Sequence, residues 1–167
     1  MSNVLIGIIG VILFIGLALA GALILGDDFI NASASSKAAA VTNQLQQGVQ
    51  AVTMFQVKTG RTLTPGEYNS QGAALLVPRF LRTMPVNTTG GSGIFAQDIS
   101  GSTTTGRAYI LVATLPREAA SKRICEAAAE AAGTVPGDAS LSMQHKGISC
   151  GYSPSDPLYW VVYANIF

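Results

Sequence analysis

The sequence of 167 residues predicts an α+β protein, in which one long N-terminal helix precedes a head with a largely antiparallel sheet. Three features of the sequence predict this class. An apolar run comes first, an amphipathic repeat follows it, and strand-like apolar segments lie near the C-terminus. We expect the helix to have an apolar protruding half and an amphipathic half that packs on the sheet of the head.

The apolar run covers residues 4–26 without a single charge. A helix of this length measures roughly 35 Å at about 1.5 Å per residue, and a bilayer core is about 30 Å thick. Glycines recur along the run, and small residues let helices approach each other closely. The run therefore suits a transmembrane anchor or a helix buried among other helices. A cleavable signal peptide fits less well, because its apolar core is shorter and follows a basic start.

The helix is expected to continue beyond Asp27 and Asp28, which mark the polar edge of the apolar run. Apolar residues then recur at spacings of four, four, three and three, the period of a helix with one buried face. The chain thus divides into an apolar half-helix at residues 1–28, an amphipathic half-helix at 29–58 and a head at 59–167. The residues of the repeat are Val41, Leu45, Val49, Val52 and Phe55.

The head divides into a connecting region and a strand-rich region. Residues 59–106 are rich in Gly, Ser, Thr and Pro, which predicts a loop region with one short helix near residues 70–82. An alanine-rich helix is expected at residues 117–132. Apolar and β-branched segments indicate the strands. The strand candidates are residues 107–115 and 158–166, which are strong, and residues 139–143 and 148–152, which are weaker.

The last strand candidate is rich in aromatic residues. Alternation places Tyr159, Val161 and Tyr163 on one face of this strand, and Trp160 and Val162 on the other. An exposed adhesive surface is one interpretation of these rings. Core packing is the favoured interpretation for at least one of the two faces.

Composition limits the functions that the chain can have. Only 11% of the residues are charged and the net charge is +1, so no specific nucleic-acid binding is predicted. The two cysteines, Cys125 and Cys150, would form a disulfide in an exported head and would define a disulfide region at residues 125–150. A pair of buried free thiols is the alternative.

The residue patterns of enzymes and cofactor sites are not found in this sequence. No Cys or Ser near the single histidine, His145, has a recognisable nucleophile context, and the two cysteines are too far apart for a CxxC motif. The glycine-rich segments have no lysine and no strand-to-helix context of a phosphate loop. We therefore predict a protein that is not an enzyme, with no catalytic residue, cofactor or metal. Asn87-Thr88-Thr89 matches the glycosylation triplet, a pattern that is common by chance.

Taken end to end, the chain resembles the type IV pilins, and their type IVb subclass in particular. The resemblance rests on the apolar helix that follows Met1, on its amphipathic continuation, on Cys125 within an alanine-rich helix, and on Cys150 near the C-terminal strands. It implies a structural subunit of an extracellular pilus on a bacterial surface, held in the inner membrane by a single span before assembly. The implied partners are further copies of the chain, which form a helical homopolymer, the pilus assembly machinery and a prepilin peptidase.

The resemblance also assigns roles to residues of the helix. Met1 would be the processed, methylated N-terminus, and the apolar helix would form the core of the filament. Family members usually carry glutamate at position 5, where this chain has Leu5, so the usual pairing of that carboxylate with a neighbouring amine is not transferred. The residues expected in the filament core are Leu5, Ile9, Leu13, Phe14, Gly16, Leu17, Gly21 and Leu25.

Two other functions stay open at this point. One is a binding or sensor domain held by a single membrane anchor, and the other is a pseudopilin of a secretion system. The task of a filament is also open, because adhesion, conjugation, DNA uptake and motility all use similar subunits.

Overall fold

A computed structural model describes residues 2–98, 109–116, 118–134, 147–153 and 156–166 of the chain. Within these ranges, two helices come first, two strands, one helix and two further strands follow, and the sheet has the order β1-β2-β4-β3 with every neighbouring pair antiparallel. This confirms the predicted class, with its long N-terminal helix and antiparallel sheet. The elements are α1 (Ser2–Thr59), α2 (Pro65–Leu76), β1 (Ile94–Asp98), β2 (Tyr109–Thr114), α3 (Ala119–Ala131), β3 (Ile148–Ser153) and β4 (Asp156–Asn165).

The chain forms two compact units, which we call the N-terminal unit (Met1–Ser33) and the C-terminal unit (Ala34–Phe167). Each unit contains part of α1. Among the described residues, no helix is both long enough and apolar enough to cross a membrane. The transmembrane segment predicted within residues 1–28 is therefore not found.

The part of α1 in the C-terminal unit packs through the apolar repeat. Val41, Leu45, Val52 and Phe55 are buried in the main core, and Val49 is half-buried against it, as the repeat predicts. Gly48 lies on the same face, where an added Cβ would come 2.7 Å from Leu111 Cδ1 of β2. The absence of a side chain there lets the helix approach the sheet closely. The helix ends at Thr59, where Gly60 takes the left-handed conformation.

The connecting region contains more regular structure than its composition predicts. The short helix expected at residues 70–82 is α2, which begins earlier, at Pro65, because Thr64 caps it. The hydroxyl of Thr64 accepts from the N–H of Glu67, and the Glu67 carboxylate accepts from the N–H of Thr64, which forms a capping box. The helix ends at Leu76 because Val77, which precedes Pro78, adopts the extended conformation that a following proline favours.

A strand also lies in the region predicted to be a loop. β1 contains only two large apolar residues, Ile94 and Phe95, before the chain turns polar, so its pattern is too short to identify from the sequence. The Asn69 side chain of α2 donates to the Ala96 carbonyl at 2.9 Å and accepts from the Ala96 N–H at 2.8 Å. It supplies two hydrogen bonds to β1, which lies at the edge of the sheet.

Both faces of the sheet bury apolar side chains. On one face, Leu111 and Val162 join the main core with the helices. On the other, Val112 and Val161 belong to a second buried cluster that also contains Tyr163. This confirms the predicted alternation of Val161 and Tyr163 against Val162, and Trp160 packs partly buried on the main core. The side chain of Tyr159 and the strand candidate at residues 139–143 lie outside the described residues.

The alanine-rich helix α3 closes the main core over β3 and β4. Its buried residues include Ile124, Cys125, Ala128 and Ala129, and the small size of the two alanines permits close packing. At the end of the helix, Gly133 is left-handed and the N–H of Thr134 donates to the Ala129 carbonyl at 2.8 Å. This is the termination that a glycine at this position favours.

Candidate functional site

The apolar residues expected in a filament core lie in the N-terminal unit, and those whose side chains are described are exposed. Leu13 is 64% exposed, Phe14 76% and Leu17 77%, and Ile9 is also exposed. A Cβ added at Gly16 or at Gly21 would meet no atom within 4 Å. Met1 and the side chains of Leu5 and Leu25 lie outside the described residues. The structure thus shows an apolar helix surface without a partner in the described part of the chain.

This exposure extends round the helix rather than along one stripe. The consecutive residues 11–15 are all exposed, and consecutive positions of a helix point in different directions. Soluble monomers rarely expose contiguous apolar patches larger than a few hundred Å², and larger patches mark interaction sites. Because burial of one large aliphatic side chain contributes about 1.5–3 kcal/mol, transfer of this surface from water to an apolar environment would be strongly favourable.

A short acidic and aromatic segment follows the apolar residues. Asp28 and Phe29 are exposed, Phe29 by 76%, and Ile30 is also exposed. Asp28 is one of only two carboxylates in α1, the other being Asp27. The exposed carboxylate of Asp28 and the exposed ring of Phe29 are therefore neighbours in the sequence.

A groove near the C-terminal end of α1 combines apolar and cationic groups. Its volume is about 540 Å³, and we call it the basic groove. The Phe80 ring packs edge-on against Phe55 at 6.0 Å between centroids, and Lys58 Nζ lies 5.9 Å from the centroid of the Phe80 ring. Val57 is 82% exposed at the groove. The groove is lined by Thr53, Met54, Val57, Lys58, Arg79 and Phe80.

The charges next to this groove are unevenly distributed. Arg61 pairs with Glu67 at 2.8 Å and also lies over the Phe55 ring. The hydrogen bond from the Thr64 N–H lowers the pKa of the Glu67 carboxyl, and the Arg61 guanidinium lowers it further. Within the described part of the chain, no carboxylate forms an ion pair with Lys58 or Arg79.

The two cysteines form a buried disulfide, as predicted. Cys125 of α3 and Cys150 of β3 have their Cα atoms 5.5 Å apart, and both side chains are buried in the main core. The bond ties α3 to the edge strand of the sheet across 25 positions of sequence. It contributes to the stability of the C-terminal unit and leaves no free thiol.

The glycosylation triplet has a structural role in this fold. Asn87 is buried, and its amide donates to the carbonyls of Ser92 and Thr114 at 2.8 and 2.6 Å. Its carbonyl oxygen accepts from the N–H and the hydroxyl of Thr89. Both ends of the side chain are therefore occupied in binding the loop to the end of β2. A Cβ on Gly91 would overlap the carbonyl oxygen of Thr114, so only glycine fits beside this contact.

No family model, no curated protein and no solved structure matches this chain.

In the described ranges, no cluster of three or more His, Cys, Asp or Glu side chains could hold a metal ion. His145 lies outside those ranges. Sequence reasoning missed the basic groove, because its residues come from the end of α1 and from the segment after α2. The sequence signal that could have indicated it is the excess of basic residues between positions 58 and 82, where Glu67 is the single acidic residue. The basic residues are Lys58, Arg61, Arg79 and Arg82.

Proposed function

We propose that the chain is the structural subunit of a type IV pilus-like extracellular filament, built by bundling of the apolar part of α1. The observation that carries this proposal is the exposure of large apolar side chains, including Leu13, Phe14 and Leu17, on successive positions of the helix. The side chains from residue 4 to residue 26 include no polar group. A surface of this kind requires an apolar environment, which a bundle of identical helices would supply.

Bundling explains why the apolar part of α1 is rich in glycine. Gly16 and Gly21 have open space around them, so no contact within the described chain requires their small size. In a helix interior, each glycine costs about 1 kcal/mol relative to alanine. Close approach of neighbouring helices in a bundle would offset that cost, because small residues let helix backbones come near each other.

The C-terminal unit has the features that the wall of such a filament needs. It is an α+β unit with its own core, and its disulfide joins α3 to β3. The pairing of a cysteine in an alanine-rich helix with one near the C-terminal strands is the arrangement on which the resemblance to type IVb pilins rests. Location on the bacterial surface, and dependence on pilus assembly machinery and a prepilin peptidase, are parts of the same proposal.

The decisive experiment is to shear cells that produce the chain and to image the released material by electron microscopy. We expect thin fibres, and intact-mass spectrometry should show the chain with two hydrogens fewer for the disulfide and with one added methyl. Absence of fibres, with all of the protein retained in the membrane fraction, would contradict the proposal and favour a membrane-anchored binding domain. Short assemblies that stay with the cells, in place of sheared fibres, would favour a pseudopilin of a secretion system.

A substitution in the helix tests the bundle itself. Leu13→Asp places a carboxylate where the bundle would exclude water, and an unpaired buried charge is costly unless it is neutralised. We expect no fibres from this variant. Leu13→Ile is the matched control, since it keeps an apolar side chain of the same volume and should assemble normally. Normal fibre yield from Leu13→Asp would show that this part of α1 is not in the core.

A further inference from the structure

We propose that the basic groove of one copy binds the segment Asp28-Phe29 of a second copy. The inference rests on the proposed function, since it names a contact that would hold neighbouring subunits together in the filament. This contact differs from the apolar bundle in its chemistry, because it combines one aromatic ring with an ion pair. It can therefore be tested separately from the bundle.

The floor of the basic groove is an apolar surface that α1 presents opposite its buried repeat. Met54, Val57 and Lys58 stand at positions i, i+3 and i+4, which share one face of a helix. Phe80, half-buried, borders that face from the segment after α2. Val57 is 82% exposed, so the described part of its own chain leaves this side of the groove open.

The rim of the groove carries cations that have no ion-pair partner among the described residues. Between positions 58 and 82, four basic residues surround a single carboxylate, that of Glu67, and Arg61 already pairs with it. Lys58 and Arg79 both line the groove. An occupant with an acidic group beside an apolar group would form an ion pair with the cations of the rim and pack on the apolar floor at the same time.

The segment Asp28-Phe29 has this combination. Its ring is 76% exposed, and Asp28 is exposed beside it. A buried phenylalanine covers about 150–250 Å² of surface, and the groove, at about 540 Å³, is large enough to receive the ring. The carboxylates of α3 offer no equivalent, because that helix contains no aromatic residue.

The geometry of such a contact favours a fibre. Each copy carries one groove and one acidic-aromatic segment, which are different surfaces, so a bound pair leaves one groove and one segment open. Contacts of this head-to-tail kind produce helical filaments when their rotation does not close a ring. The inference thus assigns a specific repeating contact to the proposed polymer.

Photo-crosslinking tests the contact directly. A benzophenone amino acid at position 29 should crosslink, in sheared filaments built from isotopically labelled and unlabelled chains, to Met54, Val57 or Phe80 of another copy. The same probe at position 14 serves as the control and should crosslink within the apolar part of α1. Filaments in which position 29 crosslinks only elsewhere would overturn this inference and leave the proposed function intact. Absence of filaments from the native chain would overturn both.

A charge swap provides the second test. K58E together with R79E should lower filament yield by at least about tenfold, because like charges facing each other across an interface cost several kcal/mol. Adding D28K to that pair should restore the yield. K122E reverses an exposed lysine on α3 and should leave it unchanged. A native yield from the K58E/R79E variant, or a failure of D28K to rescue it, would contradict the contact.

Discussion

The two parts of α1 differ in how far their apolar side chains are buried. In the C-terminal unit, the helix buries one apolar stripe, and Val41 and Leu45 of that stripe are fully buried in the main core. In the N-terminal unit, the helix is apolar on successive positions, and side chains such as Leu17 are exposed. The difference shows that one helix combines a segment whose apolar repeat is buried within the chain with a segment whose described apolar side chains are exposed.

The largest effect should come from substituting leucine in each part. Leu45→Ala removes a fully buried side chain, which should lower the free energy of unfolding by about 2–5 kcal/mol. Leu17→Ala is the matched control and should change it by less than about 0.5 kcal/mol, since its side chain is exposed. Urea unfolding of the full chain in detergent, followed by Trp160 fluorescence, measures both. If both variants lost the same free energy of unfolding, the two parts of α1 would not differ in burial as described.

Removing the disulfide should have the next largest effect. The bond lies wholly within the C-terminal unit, where it closes a loop across 25 positions. The double variant Cys125→Ala/Cys150→Ala should therefore unfold with a free energy lower by about 2–4 kcal/mol. The same loss should follow from treating the native chain with a reductant. If reduction instead left unfolding unchanged, the disulfide would not stabilise this unit.

Glycines sharpen the contrast between tight and open surroundings. Gly91→Ala forces a Cβ onto the backbone of Thr114, and overpacking of this kind costs about 1–3 kcal/mol. Gly93→Ala, two residues away, has open space and should be neutral. Gly16→Ala should likewise leave the unfolding of the C-terminal unit unchanged. Thermal unfolding of the three variants ranks them, and a neutral Gly91→Ala would show that the loop can move away from β2.

The sequence predicts those elements whose patterns are long enough to be distinctive. The apolar repeat from Val41 to Phe55 and the alternation of β4 each involve several residues, and the structure buries both. The sequence also identifies Cys125 and Cys150 as a pair, because a chain with two cysteines permits only one disulfide. In these cases, local periodicity or simple counting determines the answer.

Shorter elements and assembled surfaces could not be predicted in the same way. β1 has only two large apolar residues, and its place in the sheet depends on pairing with β2 and on the side chain of Asn69. The basic groove joins Lys58 to Arg79, which are brought together by the turn between α1 and α2. Contacts between residues far apart in the sequence depend on the whole fold, so a local sequence pattern does not predict them.

The smallest effect should come from Tyr68, whose hydroxyl lies buried with no hydrogen-bond partner among the described residues. Burial raises the pKa of Tyr68 from its ordinary value of 10.0 to about 12. The folded chain thus holds this proton more tightly than the unfolded chain, so the associated stability is present below pH 10 and is lost as the pH rises towards 12.

Tyr68→Phe removes the unpaired hydroxyl and should therefore be neutral, or stabilising by up to about 1 kcal/mol, at neutral pH. Above pH 10 the variant should lose less stability than the native chain, although the remaining tyrosines titrate in both. Urea unfolding at pH 7 and at pH 11 measures the two differences. A clear loss at pH 7 would mean that the hydroxyl has a partner, such as a bound water, within the core, and the C-terminal unit would then be less completely apolar than its buried stripe indicates.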